Sequence, residues 1–180
     1  MPNAKPYVER ALFVVGEQNA GKSTQLRSMF RDCRFGTQGE VPSAKNLPDC
    51  FWLSNERAVY VRMTSPHEYD SSPKEFLDKA ERKFADGRRW SFACPLQPYA
   101  AGAFGDAAKV IQAFDGRFNP ERIRVVILDP QFGGQHREPS ELRDLVDAQY
   151  AVGTHVEVLI CDARSRTGNG LIYADFFDFT

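Results

Sequence analysis

The sequence predicts an α/β fold in three layers, with a mostly parallel sheet and helices on both of its faces. Short apolar runs alternate along the chain with amphipathic stretches, which indicates strands alternating with helices. Residues 11–15 are apolar throughout, as in a strand buried on both faces, and 123–128 form the next strongest strand. Strands that alternate with helices favour parallel pairing, because each crossover helix returns the chain to the same edge of the sheet.

Length and composition indicate one globular domain over residues 1–180. The chain has 42% hydrophobic and 26% charged residues, and a domain typically has about 150 residues. The net charge of -1 argues against a non-specific nucleic-acid binder, which needs a basic excess, although a local basic patch is compatible with it. The apolar run 11–15 is far shorter than the ~20 residues of a membrane span. We therefore expect a cytoplasmic protein without a membrane partner, and the sequence does not indicate a nucleic-acid partner.

The four cysteines are far apart in the sequence and show no CxxC or CxxH spacing. This pattern predicts neither a disulfide framework nor a zinc site. It favours reduced, mostly buried thiols, as in a cytosolic protein. The cysteines are Cys33, Cys50, Cys94 and Cys161.

Local signals define the remaining elements. Ser72, Pro73 and Glu75 form a capping box with proline in the first helical position, which predicts the start of a helix. Gly87 is placed to end that helix, and Asp106 is predicted to cap the next one. The predicted strands are 11–15, the hairpin pair 50–53 and 58–63, 90–94, 123–128, 156–160 and a short pairing at 171–173, and the further helices are 22–32 and 140–152.

The first strand leads into residues 16–24, GEQNAGKST, which match the pattern G-x-x-x-x-G-K-[ST]. Its two glycines permit a tight wrap that points backbone N–H groups at an anion. Lys22 would supply positive charge to the β- and γ-phosphates, and Ser23 a hydroxyl to Mg²⁺. The motif resembles the P-loop of nucleoside triphosphatases, and this resemblance implies a P-loop NTPase fold. The residues expected to bind the nucleotide are Gly16, Glu17, Gln18, Asn19, Ala20, Gly21, Lys22, Ser23 and Thr24.

An acidic side chain is expected beside the magnesium ion, at the end of a neighbouring buried strand. Asp129 closes the strand 123–128 and fits the Walker B pattern of such families. We therefore predict that Asp129 binds the metal together with Ser23, and that Asp129 and Lys22 are catalytic. The competing acidic candidates are Asp162, after the last strand, and Glu68 and Asp70, beyond the hairpin.

Two further segments carry candidate catalytic groups. Residues 133–135, Gly-Gly-Gln, resemble the flexible element with which some GTPases sense the γ-phosphate and orient water. Gln135 is therefore a predicted catalytic residue, with His136 as the alternative. The other interpretation of this segment is a solvated glycine loop. Arg164 and Arg166 could reach a transferring phosphate, because planar guanidinium groups match phosphate oxygens. The other interpretation of this pair is two exposed arginines in a loop.

The order of elements and the motif GxxNxGKST resemble small GTPase domains, but three features depart from them. The guanine-reading Asn/Thr-Lys-x-Asp is replaced after Leu128 by Asp-Pro-Gln-Phe, and no DxxG follows Met63. An aromatic tail, 173–179, stands where a final helix is expected, and we expect this tail to pack on its own domain. Walker B on a late strand resembles ATPases, so we expect ATP as the nucleotide, with GTP as the alternative.

The sequence thus predicts a Mg²⁺-dependent NTPase that acts as a regulatory switch for a protein partner. Hydrolysis would change the shape of the long irregular loop 34–49 and of the segment 130–138. A small P-loop kinase is one alternative, since the chain has a suitable length and the loop 164–166 could serve as a lid. A non-catalytic nucleotide-binding subunit is the other, because the sequence does not define a catalytic base.

Overall fold

The structure, a computed structural model, describes residues 6–43, 47–84 and 89–179. Six strands in this part of the chain form one sheet, in the order β2-β3-β4-β1-β5-β6. Only the β2–β3 hairpin is antiparallel, which confirms the predicted α/β class with a mostly parallel sheet. The strands are β1 (Tyr7–Val15), β2 (Cys50–Trp52), β3 (Arg57–Val61), β4 (Arg89–Leu96), β5 (Arg122–Leu128) and β6 (Val156–Cys161).

Helices pack against both faces of the sheet. They are α1 (Lys22–Ser28), α2 (Pro66–Tyr69), α3 (Pro73–Lys83), α4 (Ala107–Phe118), α5 (Pro139–Tyr150) and α6 (Arg166–Ala174). One apolar cluster joins Ala11 and Phe13 of β1 to α3, α4 and α5. A second cluster joins Leu12 and Val14 to α1 and α6. Successive β1 residues therefore enter opposite clusters, as the two-residue period of a strand requires.

Two predicted helix starts are confirmed by capping hydrogen bonds. The backbone N–H of Glu75 donates to Ser72 Oγ at 3.2 Å, and that of Lys109 donates to Asp106 Oδ1 at 2.9 Å. The Glu75 carboxylate accepts from the backbone of Ser71 at 2.7 Å, one residue before the position that a capping box uses. Gly87, predicted to end this helix, lies outside the described residues.

The first helix is shorter than the predicted span 22–32. After Ser28 the chain tightens into two 3-10 turns, Met29–Arg31 and Cys33–Phe35. Asp32 separates the turns with extended backbone, and its side chain accepts from the backbone N–H of Arg34. An aspartate that hydrogen-bonds to nearby backbone in this way favours a cap over a helix interior.

The C-terminal segment is helical, so the short strand pairing predicted at 171–173 is wrong. Helix α6 packs against α1 so closely that a Cβ atom at Gly170 would overlap the carbonyl oxygen of Ser28. Phe176 and Phe177, just beyond α6, are buried in the cluster that includes α1. The aromatic tail therefore packs on its own domain as expected, whereas the expectation that no final helix is present is wrong.

The carboxyl ends of the five parallel strands share one edge of the sheet. The strand β1 lies between β4 and β5, and the chain after β4 crosses over β1 to the other half of the sheet. Ligands of open α/β sheets bind outside the carboxyl ends of strands at such a reversal of strand order. The loops that follow β1, β3, β5 and β6 meet there.

All four cysteines are free thiols. Cys33 is exposed, whereas Cys94 is fully buried, and burial raises the pKa of the Cys94 thiol to about 12. No group of three or more potential metal-ligating side chains of His, Cys, Asp and Glu occurs within the described ranges. In the same residues, every helix falls short of the length and apolar character needed to cross a bilayer.

Candidate functional site

A cleft of about 380 Å³ opens at the carboxyl edge of the sheet, beside the start of α1. Its floor comes from the loop between β1 and α1, and its walls come from the segments after β3, β5 and β6. The lining residues are Gln18, Asn19, Gly21, Lys22, Ser23, Thr24, Ser65, Glu68, Pro95, Phe132 and Arg166. Most of the predicted nucleotide-binding residues thus line a single cleft, and the loop continues beneath it through Gly16, Glu17 and Ala20.

The loop of residues 16–21, here called the glycine loop, needs its glycines for different reasons. A Cβ atom at Gly16 would lie 3.0 Å from Ala20 Cβ, so no larger residue fits there without a shift. Gly21 has φ +90 and Asn19 has φ 64, in the left-handed region that glycine adopts freely and asparagine tolerates. No side chain caps the start of α1, and its first turn contains no acidic residue that would compete with an anion.

Lys22 folds back over the glycine loop. Its Nζ atom donates a hydrogen bond to the backbone carbonyl of Glu17 at 2.6 Å, and the residue is 6% exposed. Burial lowers the pKa of Lys22, and the carboxylates of Glu68 and Glu17 oppose this shift. An ammonium group has three N–H donors, so Lys22 keeps donors for an anion while it contacts this carbonyl.

Ser23 and Glu68 present oxygen atoms to the cleft. The Ser23 hydroxyl donates to the backbone carbonyl of Met63 at 2.7 Å, which leaves its lone pairs free to bind a cation. Glu68 lies on α2 and carries the one acidic side chain among the described residues that line the cleft. Hydroxyl, carboxylate and phosphate oxygens are the ligands that Mg²⁺ prefers, so this set of donors fits magnesium.

Asp129, the predicted metal ligand, ends β5 but does not line the cleft. Its Oδ1 atom accepts from the backbone N–H of Arg137 at 2.8 Å, and its Oδ2 atom lies 3.2 Å from His136 Nδ1. The carboxylate thus closes the loop 129–137 on itself. Of the predicted metal-binding pair, only Ser23 lies at the cleft.

Gln135, the predicted catalytic glutamine, is exposed and lies outside the cleft lining. It belongs to a tight turn in which its backbone carbonyl accepts from Gln131 at 2.9 Å and Gly134 has φ +81. His136, the alternative, is also exposed and does not line the cleft. In this conformation the turn presents neither side chain to the cleft.

The charged residues that follow β6 have two different environments. Asp162 pairs with Arg164 at 2.6 Å, and this contact lowers the pKa of Asp162 to about 2. Arg166 makes no ion pair with any residue that the structure describes, and it lines the cleft. Of the two predicted arginines, only Arg166 therefore reaches the site.

Three residues of the loop 129–137 that contact the glycine loop were not predicted from the sequence, namely Gln131, Phe132 and Arg137. The Glu17 carboxylate accepts from Gln131 Nε2 at 3.0 Å and lies 3.5 Å from Arg137 Nη2. The backbone N–H of Phe132 donates to Ala20 at 3.4 Å. Residues in a loop give no periodic signal. Only the position of this loop, just after the end of β5, could have indicated that its residues lie near the site.

His67 holds α2 in place as a neutral ring. Its Nε2 atom lies 2.9 Å from the backbone carbonyl of Gly105, and its Nδ1 atom lies 3.2 Å from Ser65 Oγ. A carbonyl can only accept, so Nε2 carries the proton and Nδ1 accepts from the hydroxyl. Burial is the main cause that lowers the pKa of His67, and the charge of Lys22 adds to it, although Glu68 opposes it.

We expect His67 to make the protein less stable at low pH. The lowered native pKa means that the unfolded chain takes up a proton more readily, so the contribution of His67 is complete above about pH 6.5 and is lost as the pH falls further. His67→Gln should therefore weaken the pH dependence of the free energy of unfolding below pH 6.5, measured by urea titration. The exposed His136→Gln serves as the control, and equal slopes in the parent and His67→Gln would contradict the expectation.

Comparison of the chain with family models, with curated proteins and with solved structures finds no match.

Proposed function

We propose that the protein is a Mg²⁺-dependent P-loop NTPase that binds and hydrolyses ATP, with GTP as the alternative, and acts as a regulatory switch for a protein partner. The observation that carries this proposal is the motif GEQNAGKST, whose Lys22 and Ser23 line one cleft together with Glu68. A lysine, a hydroxyl and a carboxylate beside a glycine loop are the groups that a magnesium-bound triphosphate requires.

The phosphates would lie on the glycine loop, within reach of Lys22. Lys22 would donate its remaining N–H groups to the phosphate oxygens while it contacts the Glu17 carbonyl. Ser23 and Glu68 would hold Mg²⁺, directly or through water. The ion supplies neutralisation of the phosphate charge.

For hydrolysis, we assign two roles. Lys22 stabilises the negative charge that develops on the phosphate oxygens, and Glu68 orients the attacking water. Phosphoryl transfer depends mainly on positioning and electrostatic stabilisation, so these two roles are the main contributions that hydrolysis requires from the protein. Asp129 and Gln135, proposed from the sequence, both lie on the loop 129–137. Either residue could act only after this loop changes its conformation toward the cleft.

The regulatory part of the proposal rests on the segments that border the cleft. Glu17 of the glycine loop contacts Gln131 and Arg137, so a change in the glycine loop reaches the loop 129–137. Val41 and Pro42, in the described part of the loop 34–49, lie across an adjoining cavity of about 310 Å³ that is also lined by Thr24. Both segments expected to change shape on hydrolysis thus adjoin the proposed nucleotide site.

Equilibrium binding of ATP, GTP, ADP and GDP, with and without Mg²⁺, tests the proposal, followed by phosphate release on the same samples. We expect Mg²⁺-dependent triphosphate binding with slow phosphate release that a partner accelerates. Binding without turnover would favour the non-catalytic subunit, and transfer of the γ-phosphate to an added acceptor would favour the kinase. Absence of binding to all four nucleotides would overturn the proposal.

Glu68→Gln is expected to slow phosphate release by about 100-fold, because it removes the carboxylate that orients water but keeps the side-chain size. Nucleotide affinity should change less, because Lys22, the glycine loop, Ser23 and an uncharged side-chain oxygen at position 68 remain to hold the phosphates and Mg²⁺. The matched control is Glu56→Gln, an exposed glutamate in the β2–β3 turn. If phosphate release by Glu68→Gln equals that of the control, Glu68 has no part in hydrolysis.

A further inference from the structure

Phe132 presents an aromatic ring in the wall of the cleft. The residue is 46% exposed, and its backbone N–H donates to Ala20 at 3.4 Å, which fixes it against the glycine loop. The Phe132 Cβ atom lies 3.2 Å from the point where a Cβ atom of Gly21 would be. Thus the absence of a side chain at Gly21 lets the aromatic residue approach the loop so closely.

The guanidinium group of Arg166 lies over this ring. The centre of its guanidinium group lies 4.7 Å from the centroid of the Phe132 ring, and both side chains line the cleft. Arg166 is exposed and forms no ion pair within the described ranges, and its guanidinium group contacts the aromatic ring. An exposed arginine of this kind can rotate outward to admit a planar group and then cover it.

The two ends of the cleft differ in chemistry because they follow different strands. Glu68 comes after β3, on one side of β1, whereas Phe132 and Arg166 come after β5 and β6, on the other side. The glycine loop, which follows β1, lies between these ends. A bound nucleotide would place its phosphates on the glycine loop, with the terminal phosphate toward Glu68. Its base would then lie toward Phe132.

We propose that Phe132 and Arg166 form the base platform of the site, and that the platform selects purine nucleotides. This inference rests on the proposed function. Aromatic rings and guanidinium groups stack on the flat face of any base, and a purine offers a larger face than a pyrimidine. Because the platform contacts the face of the base and makes no hydrogen bond to its edge, the platform itself does not distinguish adenine from guanine.

The experiment compares Mg²⁺ complexes of ATP, GTP, CTP and inorganic tripolyphosphate, which has the phosphates without a base. Phe132→Leu removes the ring but keeps an apolar side chain against Gly21, and thermal unfolding verifies the fold. We expect about a tenfold loss of affinity for ATP and GTP and no change for tripolyphosphate. Phe132→Trp should keep or improve the binding of both nucleotides, and Tyr150→Ala, an aromatic 51% exposed on α5, should change nothing.

Arg166→Ala separates the platform from a phosphate contact. If Arg166 stacks on the base, Arg166→Ala lowers the affinity for ATP and GTP but not for tripolyphosphate. If Arg166 binds phosphate, the substitution lowers the affinity for all three ligands. Three results would overturn the proposed platform. They are an unchanged affinity of Phe132→Leu for ATP, an equal loss of its affinity for tripolyphosphate, and an affinity of the parent for CTP as high as for ATP. If the parent binds neither ATP nor tripolyphosphate, the proposed function itself fails.

Discussion

Lys22→Ala is expected to lower the affinity for Mg–ATP and Mg–GTP by at least about 100-fold, with the fold intact. The Lys22 ammonium would make charge-assisted hydrogen bonds to phosphate, each of which contributes about 1.5–3 kcal/mol. Two such bonds amount to roughly the 3 kcal/mol that corresponds to a 100-fold change. The side chain contacts the Glu17 carbonyl and lines the cleft, and it belongs to neither apolar cluster, so its removal leaves the core unchanged.

Isothermal titration of the variant and the parent, together with urea unfolding, measures both parts of this expectation. The matched control is Lys74→Ala, because the Lys74 side chain is 86% exposed and makes only a surface ion pair with Asp78. The control should bind nucleotide like the parent. Equal nucleotide affinity in Lys22→Ala and the parent would rule out the phosphate-binding role of the glycine loop.

Features that depend on neighbouring residues were accessible from the sequence. The strand β1 is predicted by a continuous apolar run, and the caps of α3 and α4 by Ser72 and Asp106, each of which bonds to a backbone N–H three residues later. Lys22 and Ser23 were predictable for the same reason, since their motif is contiguous. Such short-range signals predict the fold class and the floor of the cleft.

The errors concern features that distant contacts decide. Ile172 and Tyr173 favour strand by local propensity, yet they are helical because Gly170 brings α6 against Ser28 of α1. Tertiary packing overrides propensity in such segments. In the same way, the position of β4 between β3 and β1 depends on strand pairing that the order of elements along the chain does not define.

The walls of the cleft were predicted less well than its floor. Asp129 has the expected position at a strand end, but its loop turns back and its carboxylate bonds to Arg137 instead. Glu68 was only a competing candidate, and Phe132 was missed, because neither residue belongs to a contiguous motif. Their common location depends on which strands are neighbours and how each following loop folds.

Asp70, a sequence candidate for the acid of the site, instead joins β3 to α3. Its side chain is 0% exposed, and its Oδ1 atom accepts from Lys79 Nζ at 2.8 Å. Its Oδ2 atom lies 2.7 Å from Arg62 Nη1, so the carboxylate pairs with two cations. Arg62 is itself buried and has a further hydrogen bond to the Thr64 carbonyl at 2.9 Å. Among the residues that the structure describes, Asp70 is the only ion-pair partner of the buried Arg62.

Asp70→Asn is expected to lower the free energy of unfolding by about 3 kcal/mol, because it keeps the shape of the side chain but leaves Arg62 buried without an opposite charge. Urea titration measures this change. Asp78→Asn is the matched control, since Asp78 also pairs with a lysine of α3 but at the surface, and its loss should cost less than about 1 kcal/mol. Phosphate release per folded molecule should be the same in Asp70→Asn and the parent. A variant with parental stability and no phosphate release would instead place Asp70 in the chemistry of the site and reverse this assignment.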